Sequence, residues 1–182
     1  MTPAASVGSD ERLRLFLGLR LPGDALDGLE RWQGEHLSGR VVPRDNLHIT
    51  LAFLGSRPAA EVPELARVLA EASRDAGSIE LSARRYRETR SVGMVVLEDH
   101  TGEGGRLATS VFDGLEAAGV YEREKRPWLP HVTVLRFRTP PKLEPPVPEL
   151  GLFSPSDAAV YISRLRPSGA QYDVLESVPL GG

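Results

Sequence analysis

The sequence contains no cysteine among its 182 residues. This absence excludes disulfide bonds, thiolate nucleophiles and cysteine-based metal sites. Long apolar runs are also absent, since no stretch approaches the ~20 residues that a membrane-spanning helix needs. Lysine is scarce, with only Lys125 and Lys142, so arginine carries almost all of the positive charge. The net charge of −3 argues against general binding of polyanions.

The first ten residues, MTPAASVGSD, are small and polar. They lack the basic start and apolar core of a signal peptide, so we expect residues 1–10 to be a flexible N-terminus and the protein to be cytoplasmic. The hydrophobic content of 41% is enough for one core, which predicts a single domain over residues 11–182. Nothing in the pattern indicates a membrane or a stable protein partner, and we expect a monomer.

Apolar periodicity predicts an α+β fold with a mainly antiparallel sheet. Alternation predicts strands over residues 13–21, 47–54, 79–83, 92–97, 130–137, 158–165 and 172–178. Helical spacing predicts helices over residues 24–37, 59–76 and 105–118. Asp24 is the expected N-cap of the first helix, and Gly55 is expected to close the second strand. The turn at 167–169 suits a hairpin between the last two strands.

One four-residue pattern occurs twice, as HITL at 48–51 and as HVTV at 131–134. Residues i and i+2 of a strand point to the same face. His48 therefore projects together with Thr50, and His131 together with Thr133, while the apolar neighbours turn to the opposite face. The recurrence in both halves of the chain is explained by two similar lobes.

The repeat changes how its histidines are interpreted. A single His-x-Thr pattern is more often a solvated strand face, but two of the four histidines fall inside the same pattern. The other two, His36 and His100, are expected at the surface. Two imidazoles titrating near neutral pH suit acid–base chemistry. A metal site is the competing interpretation, although no Asp or Glu lies at ligand spacing beside either pattern.

A pair of imidazoles with a pair of hydroxyls fits a phosphodiester substrate. In-line displacement at phosphorus needs a base on one side, an acid on the other, and donors for the non-bridging oxygens. Thr50 and Thr133 are the candidate donors. Arg136 follows Thr133 by three residues, so strict alternation points it away from the phosphate unless the strand bulges or ends there.

Four blocks of the sequence carry a family resemblance. They are RLRLFLGLRLP, VVPRDNLHITLAFLG, KRPWLPHVTVLRF and VYISRLRPSGAQYDVL, in that order along the chain. Together they resemble the two-histidine phosphoesterase superfamily. Within it they are most similar to the RNA 2',3'-cyclic phosphodiesterases, which are LigT-like proteins also described as 2'-5' RNA ligases.

The resemblance implies a fold and an activity. The fold is two similar α+β lobes of mainly antiparallel sheet, related by a pseudo-two-fold axis around a central cleft. The activity is hydrolysis of RNA 2',3'-cyclic phosphate ends, or of nucleoside 2',3'-cyclic phosphates, to 2'-phosphates without metal or other cofactor. By motif position, His48 matches the proton donor and His131 the proton acceptor. Thr50 and Thr133 match the phosphate-binding threonines, and Arg136 matches an arginine common after the second pattern.

Some positions depart from the family. Val42 stands where tryptophan is common, Leu129 stands where a basic residue is common, and the middle strand SVGMVVLE lacks its usual aromatic residue. Phe53 and Trp128 remain as candidates to stack a base, or as core residues.

Two other interpretations stay open from the sequence. One is a phosphodiesterase of the same superfamily acting on a small cyclic nucleotide, and the other is a non-catalytic nucleotide- or RNA-binding module. A group of arginines that follows the predicted strand 79–83 is either a basic rim for RNA or a solvated strand face. It comprises Arg84, Arg85, Arg87 and Arg90.

Overall fold

The structure is a computed structural model that describes residues 11–180, so the predicted flexible segment 1–10 lies outside the described residues. In this part of the chain there are eight strands and three α-helices. In chain order these are β1 Arg12–Arg20, α1 Gly23–His36, β2 Arg40–Val41, β3 Ile49–Pro58, α2 Val62–Arg74, β4 Leu81–Glu88, β5 Val92–Asp99, α3 Glu103–Ala117, β6 His131–Arg136, β7 Asp157–Arg166 and β8 Gly169–Pro179.

All the strand pairs are antiparallel, and they form one sheet in the order β4-β5-β6-β3-β1-β7-β8. The short strand β2 also pairs with β6. The predicted α+β class with an antiparallel sheet is therefore confirmed. The two lobes correspond to two halves of this sheet, and they meet where β3 lies beside β6.

The helices cover one face of the sheet because alternate strand residues supply an apolar surface there. In β1 the residues Leu15, Leu17 and Leu19 are fully buried and belong to the same core cluster as Leu29 of α1 and Leu65 of α2. Burying a leucine side chain stabilises a fold by roughly 1.5–3 kcal/mol. This packing determines which residues of β1 face the other side of the sheet.

The opposite face of β1 carries a second, smaller apolar cluster. Phe16 packs there with Ala159 and Tyr161 of β7, and Tyr172 of β8 lies against them. The middle of β1 is thus buried on both faces. The members of this cluster within residues 11–180 all come from strands, so the cluster forms part of the open side of the sheet.

Two local predictions are wrong. Gly55 does not close its strand, because β3 continues to Pro58 while Gly55 adopts a φ of +71°. The pairing with β1 shifts register near this point, which gives β3 an irregularity that a left-handed glycine accommodates. Asp24 is not the N-cap of α1. Pro22 holds that position, and Asp24 lies in the first turn, where its charge favours the helix dipole.

The remaining strand and helix boundaries differ from the predicted ones by a few residues. The largest extension is β4, which begins at Leu81 and continues through Glu88, so most of the arginine group lies on a strand. The last two strands form the predicted hairpin, with Arg166 paired to Gly169. No helix within residues 11–180 combines the length and the apolar character that crossing a bilayer requires.

Gly18 allows β1 to approach the strand that carries His48. A Cβ atom added there would meet the Ile49 carbonyl oxygen at 2.9 Å, and the side chains of Tyr161 at 3.3 Å and His48 at 3.4 Å. We expect Gly18→Ala to lower the free energy of unfolding by about 1–3 kcal/mol, because the closest contact is a backbone atom that cannot yield easily. Denaturant unfolding measures this.

Gly34→Ala is the matched control. Gly34 is exposed on α1, with no atom within 4 Å of the added Cβ. Alanine is favoured over glycine inside a helix by roughly 0.5–1 kcal/mol, so this variant should be as stable as the wild type or more so. Equal stability of the Gly18→Ala variant and the wild type would contradict the close approach.

Candidate active site

The two His-x-Thr patterns lie side by side on neighbouring antiparallel strands. Ile49 of β3 is paired with Val132 of β6, and both are fully buried against the helices. Extending this register by one residue in each direction sets His48 opposite Thr133 and Thr50 opposite His131. Diagonal neighbours in such a pair are roughly 7–8 Å apart. The register therefore brings both histidines and both threonines to one patch on the open face of the sheet.

Hydrogen bonds fix the ring of His48 at both nitrogens. Its Nδ1 lies 2.8 Å from the Asn46 carbonyl oxygen, and its Nε2 lies 2.9 Å from Thr50 Oγ1. A carbonyl oxygen only accepts, so the proton is on Nδ1, and in the neutral ring Nε2 accepts from the threonine hydroxyl. His48 consequently presents Nε2 to the same region as Thr50.

Aromatic rings surround His48. The ring centroids of Phe16, Tyr172 and Tyr161 lie 4.8, 5.4 and 5.5 Å from that of the imidazole. The pKa of His48 is lowered to about 4, chiefly by burial among these rings; the hydrogen bond to Asn46 opposes this shift, and the nearby His131 and Arg136 add to it. In the free protein His48 is therefore neutral at pH 7.

His131 repeats the backbone contact of His48. Its Nδ1 lies 2.8 Å from the Leu129 carbonyl oxygen, again two residues back along the chain. Each imidazole thus donates from Nδ1 to the carbonyl oxygen of the residue two positions earlier, which leaves Nε2 for other partners. The surroundings differ, because His131 is more open to solvent and has no comparable aromatic packing within residues 11–180.

A bulge in β6 turns Arg136 toward the open face. Gly93 of β5 pairs with Leu135, whereas its neighbour Met94 pairs with Thr133, so Val134 is an extra residue. Val134 and Leu135 are both buried, and Arg136 returns to the side of Thr133. Its Nη2 donates to the Tyr172 hydroxyl oxygen at 2.9 Å. The strand thus departs from the strict alternation that would have directed Arg136 away.

A cavity of about 440 Å³ opens on this face. Of the residues singled out in the sequence, it brings together His48, Thr50, Thr133, Arg136 and Phe53. His131 is not among the described residues that line this cavity. Its position next to the cavity is inferred from the register of β3 and β6. His36 and His100 lie apart, in the last turn of α1 and just after β5.

Two residues of the site were missed by the sequence analysis. Asn46 uses its side chain to hold the last hairpin: Nδ2 donates to the Ala170 carbonyl at 2.8 Å, and Oδ1 accepts from the Tyr172 amide at 3.2 Å. Asn46 therefore connects the hairpin to the carbonyl that orients His48. A turn-forming Asn two residues before His48 is the signal available in the sequence. For Tyr172, strand alternation predicts on which face of the sheet the side chain lies, but it does not predict which residues the side chain contacts.

The two aromatic candidates have different surroundings. Trp128 is partly buried against the main core, and its indole nitrogen donates to the Thr50 carbonyl at 2.9 Å. It therefore supports the backbone of the first pattern. Phe53 is 50% exposed, lines the cavity, and has the Arg14 guanidinium 5.0 Å from its ring centroid. Of the two, only Phe53 offers an open aromatic surface inside the cavity.

The departures from the family pattern fall on this face too. Val42 lines the cavity, and Leu129 is 38% exposed next to His131. In the middle strand, which lacks the family's usual aromatic residue, Met94 and Val96 pair with Thr133 and His131 and therefore occupy the open face. Among residues 11–180, no group of three or more His, Cys, Asp or Glu side chains is arranged to hold a metal ion.

Comparisons with known proteins show the family to which the chain belongs. The model of the family described as LigT like Phosphoesterase matches residues 19–90. An RNA 2',3'-cyclic phosphodiesterase of Thermus thermophilus is 30% identical, with 93% of this chain and 91% of the relative covered. An RNA 2',3'-cyclic phosphodiesterase of Escherichia coli is 26% identical, with 91% and 96% covered. The chain belongs to the LigT-like phosphoesterase family, which confirms the resemblance found in its sequence.

Solved structures give the same result for the fold. A crystal structure of a Thermus thermophilus protein superimposes with a TM-score of 0.78 at 29% identity, covering 93% of this chain and 99% of the other. Escherichia coli LigT in its apo form also gives a TM-score of 0.78, at 24% identity and with 95% and 100% covered. The fold is therefore that of LigT-like proteins.

The surroundings of His48 generate a prediction about its titration. In the free protein its imidazole should titrate near pH 4, because burial disfavours the charged form. Inorganic phosphate bound beside Nε2 should raise this pKa, since an anion favours the imidazolium. NMR titration of the imidazole resonances, with His48→Gln to assign the signal, measures both values. A pKa at or above 6.5 in the free protein would show that the ring is not buried as described.

Proposed function

We propose that this protein hydrolyses the 2',3'-cyclic phosphate at RNA 3' ends to a 2'-phosphate, with two histidines and no metal. The observation that carries the proposal is the register of β3 and β6, which sets each histidine opposite the threonine of the other pattern. Each Nδ1 is tied to a carbonyl oxygen, which leaves both Nε2 atoms for proton transfer. The RNA 2',3'-cyclic phosphodiesterases among its relatives support the same reaction.

The reaction needs one group that removes a proton from the attacking water and another that donates a proton to the leaving oxygen. The base accepts a proton from water as the water oxygen attacks phosphorus, and the acid donates a proton to the ribose O3' as the P–O3' bond breaks. The product keeps the phosphate on O2'. Thr50, Thr133 and Arg136 donate hydrogen bonds to the non-bridging oxygens, where negative charge develops. These residues therefore act by orientation and charge and undergo no covalent change.

Family position gives His48 the donor role and His131 the acceptor role. A donor must carry a proton on Nε2, whereas His48 is neutral in the free protein. The bound phosphate supplies the missing stabilisation, because its negative charge replaces the threonine hydroxyl as the nearest partner of Nε2. His48 thus gains its proton together with the substrate, and the hydrogen bond from Nδ1 to Asn46 keeps the ring in place.

The nucleoside part of the substrate has an aromatic platform available. Phe53 is half exposed at the wall of the cavity, and Arg14 lies over its ring. Every nucleobase has a π face, so stacking on Phe53 accepts any base. We assign Phe53 to the base of the terminal nucleotide, and we assign Trp128 a structural role through its bond to the Thr50 carbonyl.

Removal of either histidine should slow hydrolysis of a nucleoside 2',3'-cyclic phosphate. We expect His48→Ala and His131→Ala each to lower kcat by roughly 10²–10⁴, the usual contribution of a positioned acid or base. The double variant should lose much less than the product of the two, because residues that act as a unit are not additive. Activity of the wild type should persist in EDTA. Full activity in both single variants, or loss on chelation with recovery on added zinc or manganese, would refute the mechanism.

An activated substrate separates the two histidines. A nucleotide phosphodiester with a 4-nitrophenolate leaving group needs little help from an acid, so it should partly restore the His48→Ala variant and leave His131→Ala impaired. The ratio of kcat values on the two substrates is the measurement, and His36→Ala is the control for an imidazole remote from the cavity. Recovery of His131→Ala alone would reverse the two roles.

Phe53→Ala should weaken use of a nucleotide by about 1–3 kcal/mol in kcat/KM, the range for one base–aromatic stack. A ribose 2',3'-cyclic phosphate without a base should be cleaved equally by Phe53→Ala and the wild type. Leu152→Ala, at a position 66% exposed and outside the cavity lining, is the control for loss of a surface apolar group. Equal loss on both substrates would show that Phe53 contributes to the cavity shape and not to stacking.

A further inference from the structure

Two arginines of β4 share cross-strand rows with the histidine–threonine pairs. Arg85 pairs with Val96 of β5, and Val96 pairs with His131. Residues directly opposite each other in an antiparallel sheet project from the same face. Arg85 is therefore on the open face of the sheet, in the row that continues through His131 toward Thr50.

The second row runs parallel to the first. Arg87 pairs with Met94, Met94 pairs with Thr133, and the extended register sets Thr133 opposite His48. Met94 and Val96 are buried yet lie outside the main core cluster, which contains their neighbours Val95 and Leu97. This burial pattern agrees with an open-face position for the whole row.

The two arginines are exposed and carry uncompensated charge. Within residues 11–180, neither Arg85 nor Arg87 forms an ion pair, whereas arginines elsewhere, such as Arg44 and Arg67, are held by two carboxylates each. The next residue of β5 on this face is the exposed Glu98, opposite Ser82. Arg85 and Arg87 therefore carry unpaired positive charge in the two rows that lead to the histidines.

Distance and chemistry indicate what these charges meet. Strand β4 is two positions from β6, which corresponds to about 10 Å at ~4.8 Å per strand. An RNA chain whose terminal cyclic phosphate lies between the histidines has its next phosphodiesters within reach of such a position. Guanidinium groups bind phosphate oxygens with paired hydrogen bonds, and unpaired arginines keep this capacity.

We propose that Arg85 and Arg87 form a subsite for the internucleotide phosphates of the RNA strand, so that the protein prefers oligonucleotides over mononucleotides. This inference rests on the proposed function, since it extends the substrate from the terminal cyclic phosphate into the chain. The other two members of the arginine group lie outside the subsite. Arg84 is skipped in the pairing between Ala83 and Arg85, and Arg90 lies beyond the end of β4.

The test compares two substrates in one double variant. The kcat/KM of the wild type should be higher for a short RNA ending in a 2',3'-cyclic phosphate than for the corresponding nucleoside 2',3'-cyclic phosphate. Arg85→Ala/Arg87→Ala should reduce that ratio at least ~10-fold, within the usual range for two lost charge-assisted contacts. The mononucleotide does not extend to β4, so its rate reports whether the variant is folded and its histidines are in place.

Control variants distinguish a local phosphate subsite from a nonspecific effect of positive charge on the protein surface. Arg31→Ala/Arg74→Ala removes two exposed helical arginines and should leave the substrate ratio unchanged. Arg85→Lys/Arg87→Lys should keep most of the preference, because lysine binds phosphate as a point charge. The log–log salt slope of oligonucleotide binding, measured by fluorescence anisotropy, should fall in magnitude by about 1.4 in the Arg85→Ala/Arg87→Ala variant, at ~0.7 for each phosphate contact on a single strand.

Each failure has a distinct meaning. If the wild type cleaves the mononucleotide without favouring the oligonucleotide, or if the Arg31/Arg74 control lowers the ratio equally, the subsite is refuted while the proposed function stands. If the wild type cleaves neither substrate, the proposed function fails. The anisotropy measurement still decides the subsite in that case, because an unchanged affinity and salt slope in the alanine variant would rule it out.

Discussion

The pairing of β3 with β6 is the contact on which the site depends. Ile49 and Val132 are the matched pair, and their burial beneath the helices fixes the register. A slip of one residue would turn every side chain of a strand to the other face, sending His48 or His131 into the core. Such a slip is strongly disfavoured because it would expose the apolar residues and bury imidazoles and hydroxyls. The apolar half of each His-x-Thr pattern therefore determines where its polar half lies.

The two histidines make the same hydrogen bond to the backbone, but their surroundings differ. Both imidazoles donate through Nδ1 to a carbonyl two residues back, but only His48 is packed against Phe16 and the tyrosines of β7 and β8. The proposed acid and the proposed base must differ in protonation although both are histidines. Burial among aromatic rings lowers the pKa of His48, so the free protein holds this proposed donor neutral, and in the proposed mechanism the bound phosphate favours its protonated form.

The sequence predicted the seven longer strands, the three helices and the identity of the paired patterns, because these follow from local periodicity, but it did not predict the two-residue strand β2. Features that depend on pairing were out of reach. The bulge at Val134 redirects Arg136, and neither residue carries a local signal of it. The role of Asn46 depends on hydrogen bonds to β8, which is distant in the sequence. Strand β3 continues past Gly55 because β1 remains paired with it as far as Pro58. Long-range partners decide each of these points.

The low pKa of His48 couples stability to pH and, in the proposed mechanism, to phosphate binding. An unfolded histidine titrates near 6.5, whereas the folded one titrates near 4. Between these values the unfolded state binds more protons, so this residue's contribution to stability is complete above about pH 6.5 and is lost as the pH falls toward 4. A bound phosphate acts in the opposite sense, because it favours the imidazolium. Linkage is reciprocal, so an anion that raises the pKa of His48 must itself bind more tightly when His48 is protonated. Burial among aromatic rings thus makes protonation of His48 depend on a bound phosphate, whose negative charge is the one that the proposed donor acts beside.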